Sequence, residues 1–74
     1  MADYQPITCI AHERLEFAVL KRRRLKLACK DGGDLAGVPL DVYTRDAAEW
    51  LRLRDEAGHE HVLRLDRIVS FEEI

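Results

Sequence analysis

Hydrophobic and polar residues alternate along residues 25–30, and the neighbouring elements are interpreted relative to this stretch. Leu25, Leu27 and Cys29 alternate with two lysines and an alanine, which is the pattern of a β-strand buried on one face. The Asp-Gly-Gly sequence at 31–33 follows, and these residues tolerate the positive φ angles of a tight turn. Because the apolar pattern then resumes, the sequence predicts a β-hairpin.

A helical pattern precedes the hairpin. Apolar residues recur at helical spacing and form a stripe that is expected to lie on the sheet. Acidic residues come early in this segment and basic residues close it, which complements the helix dipole. The predicted helix covers 11–21, after an extended segment around Pro6. The apolar stripe consists of Leu15, Phe17, Ala18, Val19 and Leu20.

Short strand patterns make up the rest of the chain. Gly37 and Pro39 interrupt one of them and predict a bulge or corner. Leu51 and Leu53 alternate with arginines and are expected to face inward. One helix followed by about five strands predicts a mainly β (α+β) domain with a small, strongly bent barrel, closed or nearly closed because closure hides sheet edges. The predicted single domain, 1–74, consists of an extended segment at 1–10, a helical unit at 11–23 and the barrel at 24–72, with turns at 44–48, 55–58 and 66–67.

The composition is that of a globular protein. Apolar residues make up 47% and charged residues 35% of the 74 positions, which is unlike a disordered tail. There is no stretch of about 20 apolar residues, and residues 1–5 lack the features of a signal peptide. We therefore expect a cytoplasmic protein. Its two cysteines, Cys9 and Cys29, are expected to be small buried hydrophobic residues rather than a disulfide or metal ligands.

The charges are unevenly distributed along the chain. Residues 1–30 carry seven basic and three acidic residues, whereas residues 31–74 carry five basic and eleven acidic residues. The net charge of −2 therefore conceals a positive first part and a negative second part. This asymmetry suggests a surface for a partner, because charge acts on association more than on fold.

No constellation of residues predicts catalysis or a cofactor. Ser70 is the sole serine, and no histidine has a triad context. The sequence at 31–34 is a turn signature that lacks the helix and lysine of a phosphate-binding loop. His59 and His61 have a spacing that some metal sites use, but without further ligands we interpret them as solvated hairpin residues. The sequence predicts a protein that is not an enzyme and holds no metal.

A basic segment follows the predicted helix, and two aromatic residues lie in later strands. Such a segment can bind phosphate through counterion release, or it can be a solvated helix end. Tyr43 and Trp50 could stack on bases, although packing within the barrel explains them more simply. The segment contains Lys21, Arg22, Arg23, Arg24, Lys26 and Lys30.

Glu13 and Glu16 are three residues apart and therefore share one face of the predicted helix. One interpretation is that they serve helix capping and the dipole. The other is that they form an acidic edge aimed at a basic partner, to which Asp46 and Glu49 would add charge.

Five short motifs follow one another over nearly the whole chain. In order they are Tyr4-Gln5-Pro6-Ile7-x-Cys9, Leu15-Glu16-x-Ala18, Lys30-Asp31-Gly32, Arg45 with Glu49-x-Leu51, and Leu63-Arg64-Leu65-Asp66-x-Ile68-x-Ser70-Phe71. Together they resemble the Rof (YaeO) family, and their matching order and spacing make the resemblance specific.

The resemblance implies an Sm-like barrel behind an N-terminal helix and a non-catalytic inhibitor of the termination factor Rho. Members of the family bind the N-terminal RNA-binding domain of Rho and obstruct the primary sites where nascent RNA loads. By analogy, Glu13, Arg14 and Glu16 on the helix and Arg45 and Asp46 in a loop would contact Rho. This interpretation involves no membrane, no direct binding of nucleic acid and a monomer whose helix covers a sheet edge.

The sequence differs from the family pattern just ahead of the helix and at its end. Ile10-Ala11-His12-Glu13 replaces an acidic run, and the helix ends in a basic segment, so attraction to a basic RNA site is expected to be weaker. The alternative function is an Sm-like RNA-binding module that uses the basic segment. Against it, the corner at 65–68 lacks the Gly- or His-containing turn of a uridine pocket, and Asp66 would repel phosphate. The alternative site comprises Lys21, Arg22, Arg23 and Arg24.

Overall fold

The computed structural model describes residues 5–74 as one helix, five strands and a single 3₁₀ turn. This element order confirms the predicted mainly β fold with a helix in front. The extended segment predicted at 1–10 lies outside the described residues at positions 1–4, and its last two residues belong to the helix. The elements are α1 (Cys9–Lys21), β1 (Leu25–Cys29), β2 (Asp34–Arg45), β3 (Ala48–Arg54), β4 (Glu60–Arg64), the 3₁₀ turn (Leu65–Arg67) and β5 (Ile68–Glu73).

Helix α1 begins earlier than predicted because Thr8 caps it. The Thr8 hydroxyl accepts a hydrogen bond from the backbone N–H of Ala11 at 3.1 Å, and this contact satisfies a donor that the helix leaves unpaired. The helix ends at Lys21, and Arg22 follows in the left-handed conformation with φ 54°. The first turn, which starts at Cys9, therefore contains no acidic residue. The predicted dipole role of the two glutamates is wrong for this reason.

The β1–β2 hairpin is confirmed. Leu27 pairs with Leu35, Gly32 has a φ of 86°, and the Asp31 carboxylate accepts the N–H of Gly33 at 3.0 Å. The turn predicted at 44–48 is narrower than expected, since only Asp46 and Ala47 lie between the strands. Both residues have positive φ, at 53° and 59°. Two positive φ angles suit the twist of a two-residue hairpin even without glycine.

The five strands form one antiparallel sheet in the order β4-β3-β2-β1-β5. Strand β2 pairs first with β1 and then with β3, and its pairing with β3 shifts register between Pro39 and Asp41. At Gly37 a side chain would overlap the carbonyl group of Arg54. Gly37 therefore allows the close approach of β2 and β3. The predicted bend at Gly37 and Pro39 is confirmed.

The sheet is strongly bent but not closed. Strands β4 and β5 stand at its two ends, and the 3₁₀ turn leads the chain from one to the other. The backbone N–H of Lys30 donates to the carbonyl of Arg67 at 2.8 Å, which ties this turn to the β1–β2 hairpin. The expectation of a closed or nearly closed sheet is thus corrected to an open one, because β5 pairs with β1 and leaves β4 as the other edge.

The core lies between α1 and the sheet. Leu51 and Leu53 face inward as predicted. Cys9 is exposed and Cys29 only half-buried, so the prediction of two buried cysteines is wrong. Cys9 opens the helix on its solvent side. Within residues 5–74, no helix is both long and apolar enough to cross a membrane. The buried core cluster consists of Leu15, Ala18, Leu25, Leu27, Leu51, Leu53 and Leu65.

Candidate partner-binding surface

Helix α1 exposes a row of large apolar side chains. Ile10 is 72% exposed, Phe17 48% and Leu20 76%. Together with the exposed Glu13 they follow one another at intervals of three or four residues, so these four residues form one row along the helix, here called the outer stripe. Phe17 and Leu20 were predicted to pack on the sheet, which is wrong. The helix contacts the core through the buried Leu15 and Ala18 and the partly buried Val19, and this ridge leaves its other side in solvent.

His12 links α1 to β3. Its Nε2 atom lies 2.6 Å from a carboxylate oxygen of Glu49, and its Nδ1 atom lies 3.5 Å from one of Glu16. The side chains of His12 and Glu49 are 24% and 29% exposed, so this contact is partly shielded from water. Each ring nitrogen thus faces one carboxylate, so the imidazole lies between Glu16 on its own helix and Glu49 on β3.

Arg14 is engaged within the protein. Its guanidinium carbon lies 4.6 Å from the centre of the Phe71 ring, and its Nη2 atom donates to the Phe71 carbonyl at 3.4 Å. Arg14 thus covers part of the free edge of β5, an arrangement that hinders pairing with another strand. Beside it lies an apolar depression of about 310 Å³, also lined by Phe17 and Leu25.

Arg45 and Asp46 lie at the exposed β2–β3 turn. Their side chains are 76% and 84% exposed and stand 4.0 Å apart, a loose ion pair. The Arg45 carbonyl accepts the indole N–H of Trp50 at 2.9 Å, so this half-buried aromatic is held against the turn. Glu49 is paired with Thr44 at the base of the same turn. The contact of Glu49 with His12 therefore brings the turn and the first half of α1 to one end of the molecule.

The basic segment is tied to the rest of the chain by internal contacts. Arg22 donates to the carbonyls of Pro39 and Leu40 at 3.4 and 3.2 Å. Arg23 lies 4.0 Å from Glu73, Arg24 forms an ion pair with Glu56, and Lys21 lies over the Phe17 ring at 5.8 Å. A phosphate bound here would have to compete with these contacts.

The histidines of the β3–β4 hairpin also have partners. His61 Nε2 lies 2.7 Å from Asp55, and the same carboxylate accepts the N–H of His59 at 2.9 Å. The hydrogen bond from His61 is the main reason that the pKa of Asp55 is lowered. Among residues 5–74, no group of three or more His, Cys, Asp or Glu side chains could hold a metal ion. These residues brace the hairpin.

The corner after β4 is built on a buried carboxylate. Asp66 is 8% exposed and accepts hydrogen bonds from the Arg64 guanidinium and from the N–H of Gln5. The Arg64 contact is the main reason that the pKa of Asp66 is lowered. The charge of Asp66, which was expected to repel phosphate, is therefore balanced by Arg64.

Comparisons with known sequences agree on one family. A family model described as "Modulator of Rho-dependent transcription termination (ROF)" matches residues 6–74. The protein rof of Escherichia coli (strain K12) is 40% identical over 68 residues, which cover 92% of this chain and 80% of that protein. The protein rof of Shigella flexneri matches with the same identity and coverage.

Comparisons with solved structures concern the fold. The chain matches part of the proteasome accessory factor B/C of Arthrobacter aurescens with a TM-score of 0.77 and 20% identity, covering 93% of this chain but 12% of that protein. A Xanthomonas campestris protein that adopts a novel variant of the Sm-like motif matches with a TM-score of 0.56 and 22% identity, covering 100% and 99% of the two chains. The predicted Sm-like fold is confirmed.

Proposed function

The chain belongs to the Rof family of modulators of Rho-dependent transcription termination, and we propose that it inhibits termination by binding the N-terminal RNA-binding domain of Rho. A monomer on this domain prevents nascent RNA from loading at the primary sites. The mechanism is occupancy of a binding site, with no catalytic step. The family membership confirms the resemblance seen in the sequence and makes Rho the first partner to test.

The observation that carries the proposal is the outer stripe of α1. Large apolar side chains exposed on one face of a helix are typical of a protein interface. A domain that binds RNA must attract phosphates, so the carboxylates of Glu13 and Glu16 can occupy such a site. The sequence ahead of the helix lacks the acidic run of the family, so electrostatic attraction is weaker there. The apolar residues Ile10, Phe17 and Leu20 add contact area to the interface.

The β2–β3 turn is the second part of the proposed surface. Arg45 and Asp46 are exposed and only loosely paired with each other, so they can form new contacts at small cost. Arg14 is different, because it would have to leave Phe71 to reach a partner. We therefore assign the main contacts to the outer stripe, Glu16 and the turn, and give Arg14 a supporting role at the rim.

The test is a fluorescence anisotropy titration against the isolated N-terminal domain of Rho from the same organism. It is run with and without a competing oligopyrimidine. Saturable binding that the oligonucleotide displaces is the expected result. Absence of binding at low salt would contradict the proposal and bring the basic segment back as a candidate for direct RNA binding.

Two variants locate the contact on α1. Leu20→Ser and Glu16→Lys are each expected to weaken binding at least about fivefold, since residues near the centre of an interface carry most of its energy. Asp34→Lys is the matched control for the charge change, because Asp34 is exposed at the start of β2. Leu20→Ser and Asp34→Lys should each alter the free energy of unfolding by no more than about 0.5 kcal/mol, since both positions are exposed. Unchanged binding of both α1 variants would remove the helix from the interface.

A further inference from the structure

His12 occupies the junction between the two parts of the proposed surface. It projects from the first half of α1 towards Glu49 at the base of the β2–β3 turn, and the two side chains lie 2.6 Å apart. The distance of 37 residues between them along the chain makes this a tertiary contact. Through it, the helix that carries the outer stripe is joined to the hairpin that carries Arg45 and Asp46.

The surroundings of His12 are acidic on both elements that face it. Glu16 lies on its own helix at 3.5 Å and Glu49 on β3. Glu13 and Glu49 also line the shallow depression that His12 shares with the segment before the helix. The short hydrogen bond between the His12 ring and the Glu49 carboxylate holds α1 to β3, because a hydrogen bond to a carboxylate is about twice as strong as one between neutral groups.

We propose that His12 is a positioning residue that fixes α1 relative to the β2–β3 turn, so that the outer stripe and the turn are presented to a partner as one surface. The purpose assigned to this contact rests on the proposed function. The contact itself does not, because it is defined by the geometry of His12, Glu16 and Glu49. A surface fixed before binding loses less conformational entropy when the partner binds.

The first experiment measures the contact without any partner. Hydrogen exchange of the α1 backbone amides is compared among the wild type, His12→Ala and His12→Lys. His12→Ala should accelerate exchange in the first half of α1 at least about threefold relative to the β1–β2 hairpin, because the helix loses its link to the sheet. His12→Lys keeps a long side chain with N–H donors beside both carboxylates and should return exchange to the wild-type rate. The matched control is His59→Ala, an exposed histidine of the β3–β4 hairpin.

The second experiment measures coupling in the affinity for the N-terminal domain of Rho. His12→Ala and Glu49→Gln should each weaken binding at least about threefold, and the double variant should bind no more weakly than either single variant. If His12→Lys binds as tightly as the wild type, the weaker binding of His12→Ala is due to the lost contact of residue 12 with the carboxylates.

The outcomes distinguish this proposal from the function on which it rests. Unchanged exchange in His12→Ala would overturn the positioning role whether or not Rho binds. Faster exchange in His12→Ala, reversed in His12→Lys, supports the positioning of α1 even if the Rho domain fails to bind, and that failure would count against the proposed function alone. Binding effects of the two single variants that multiply in the double variant would overturn the coupling.

Discussion

Arg64 holds Asp66 by two parallel hydrogen bonds of 2.9 and 2.8 Å. Asp66 is the buried charged residue in the part of the chain that the structure describes, and it also accepts the N–H of Gln5 at 3.2 Å. One carboxylate therefore joins the end of β4, the 3₁₀ turn and the segment ahead of α1. Strands β4 and β5 at the two ends of the open sheet do not pair with each other, and this corner connects them instead.

Replacing Asp66 with asparagine is expected to lower the free energy of unfolding by about 1–3 kcal/mol. The amide retains the shape of the side chain but loses the charge that Arg64 contacts. Urea denaturation at neutral pH measures the effect. Asp34→Asn, the same change at an exposed position, should leave the midpoint nearly unchanged.

The stabilising effect of Asp66 should disappear in acid. Because the pKa of Asp66 is lowered in the folded protein, chiefly by Arg64, its contribution is fully present above the unfolded value of about 3.9. It is lost as the pH falls through the lower folded value. The difference in unfolding free energy between the wild type and Asp66→Asn should therefore shrink below about pH 4. A difference that stays constant into this range would contradict the proposed role of the charge.

Gly37→Ala should be among the most damaging small substitutions in the chain. The added methyl group would overlap the Arg54 carbonyl oxygen and come within 2.8 Å of Leu53 Cδ2, so β2 and β3 would have to separate. We expect a loss of about 3 kcal/mol, at the upper end of the usual cost of overpacking. Gly58→Ala is the control, since a methyl group there meets no atom within 4 Å although φ is +87°. It should cost only about 1 kcal/mol, and equal losses would argue against steric overlap at Gly37.

The two cysteines should react at different rates with iodoacetamide. Cys9 is exposed, whereas burial raises the pKa of the half-buried Cys29 and the carboxylates of Asp31 and Asp34 raise it further. Because the thiolate is the reactive form, Cys9 should be modified about tenfold faster at pH 8. Mass spectrometry of timed samples identifies the site, and Cys9→Ser should leave only the slow reaction. Equal rates would show that the Cys29 thiol is not protected by its surroundings.

Arg14→Ala is expected to reduce stability even though Arg14 is exposed. The substitution removes the guanidinium from the Phe71 ring, a contact worth about 0.5–1 kcal/mol at an exposed site. Arg45→Ala, which has no such ring contact, should change the unfolding free energy by less than about 0.5 kcal/mol. Thermal or urea unfolding compares the two. Equal stability of Arg14→Ala and the wild type would mean that Arg14 is available to a partner at no cost.

Several elements could be predicted from the sequence because their causes are local. The alternation from Leu25 to Cys29 and the Asp-Gly-Gly turn after it specify a hairpin through periodicity and backbone freedom alone. The bend of β2 follows from Gly37 and Pro39 for the same reason. Helix α1 starts before the predicted position because Thr8 caps it, although the capping preference of threonine is visible in the sequence.

For part of the candidate surface, the sequence predicts which residues are present but not which residues they contact. Glu13 and Glu16 share one face of the helix however the helix packs on the sheet, so the sequence predicts an acidic edge there. The contact of His12 with Glu49 is not visible in the sequence, since Glu49 lies 37 residues away on a strand. The sequence does not show that the basic segment has internal partners. Arg23 and Arg24 pair with Glu73 and Glu56, and these glutamates come from later parts of the chain.

The sequence by itself determined the hairpin, the bent β architecture and the family, because periodic patterns, turn residues and short motifs depend on neighbours along the chain. Only the tertiary structure decided which side of α1 is exposed. Periodicity shows where apolar residues lie around a helix but not how wide a contact the sheet offers. Here that contact is the ridge of Leu15, Ala18 and Val19, and it leaves Phe17 and Leu20 exposed as the centre of the proposed interface.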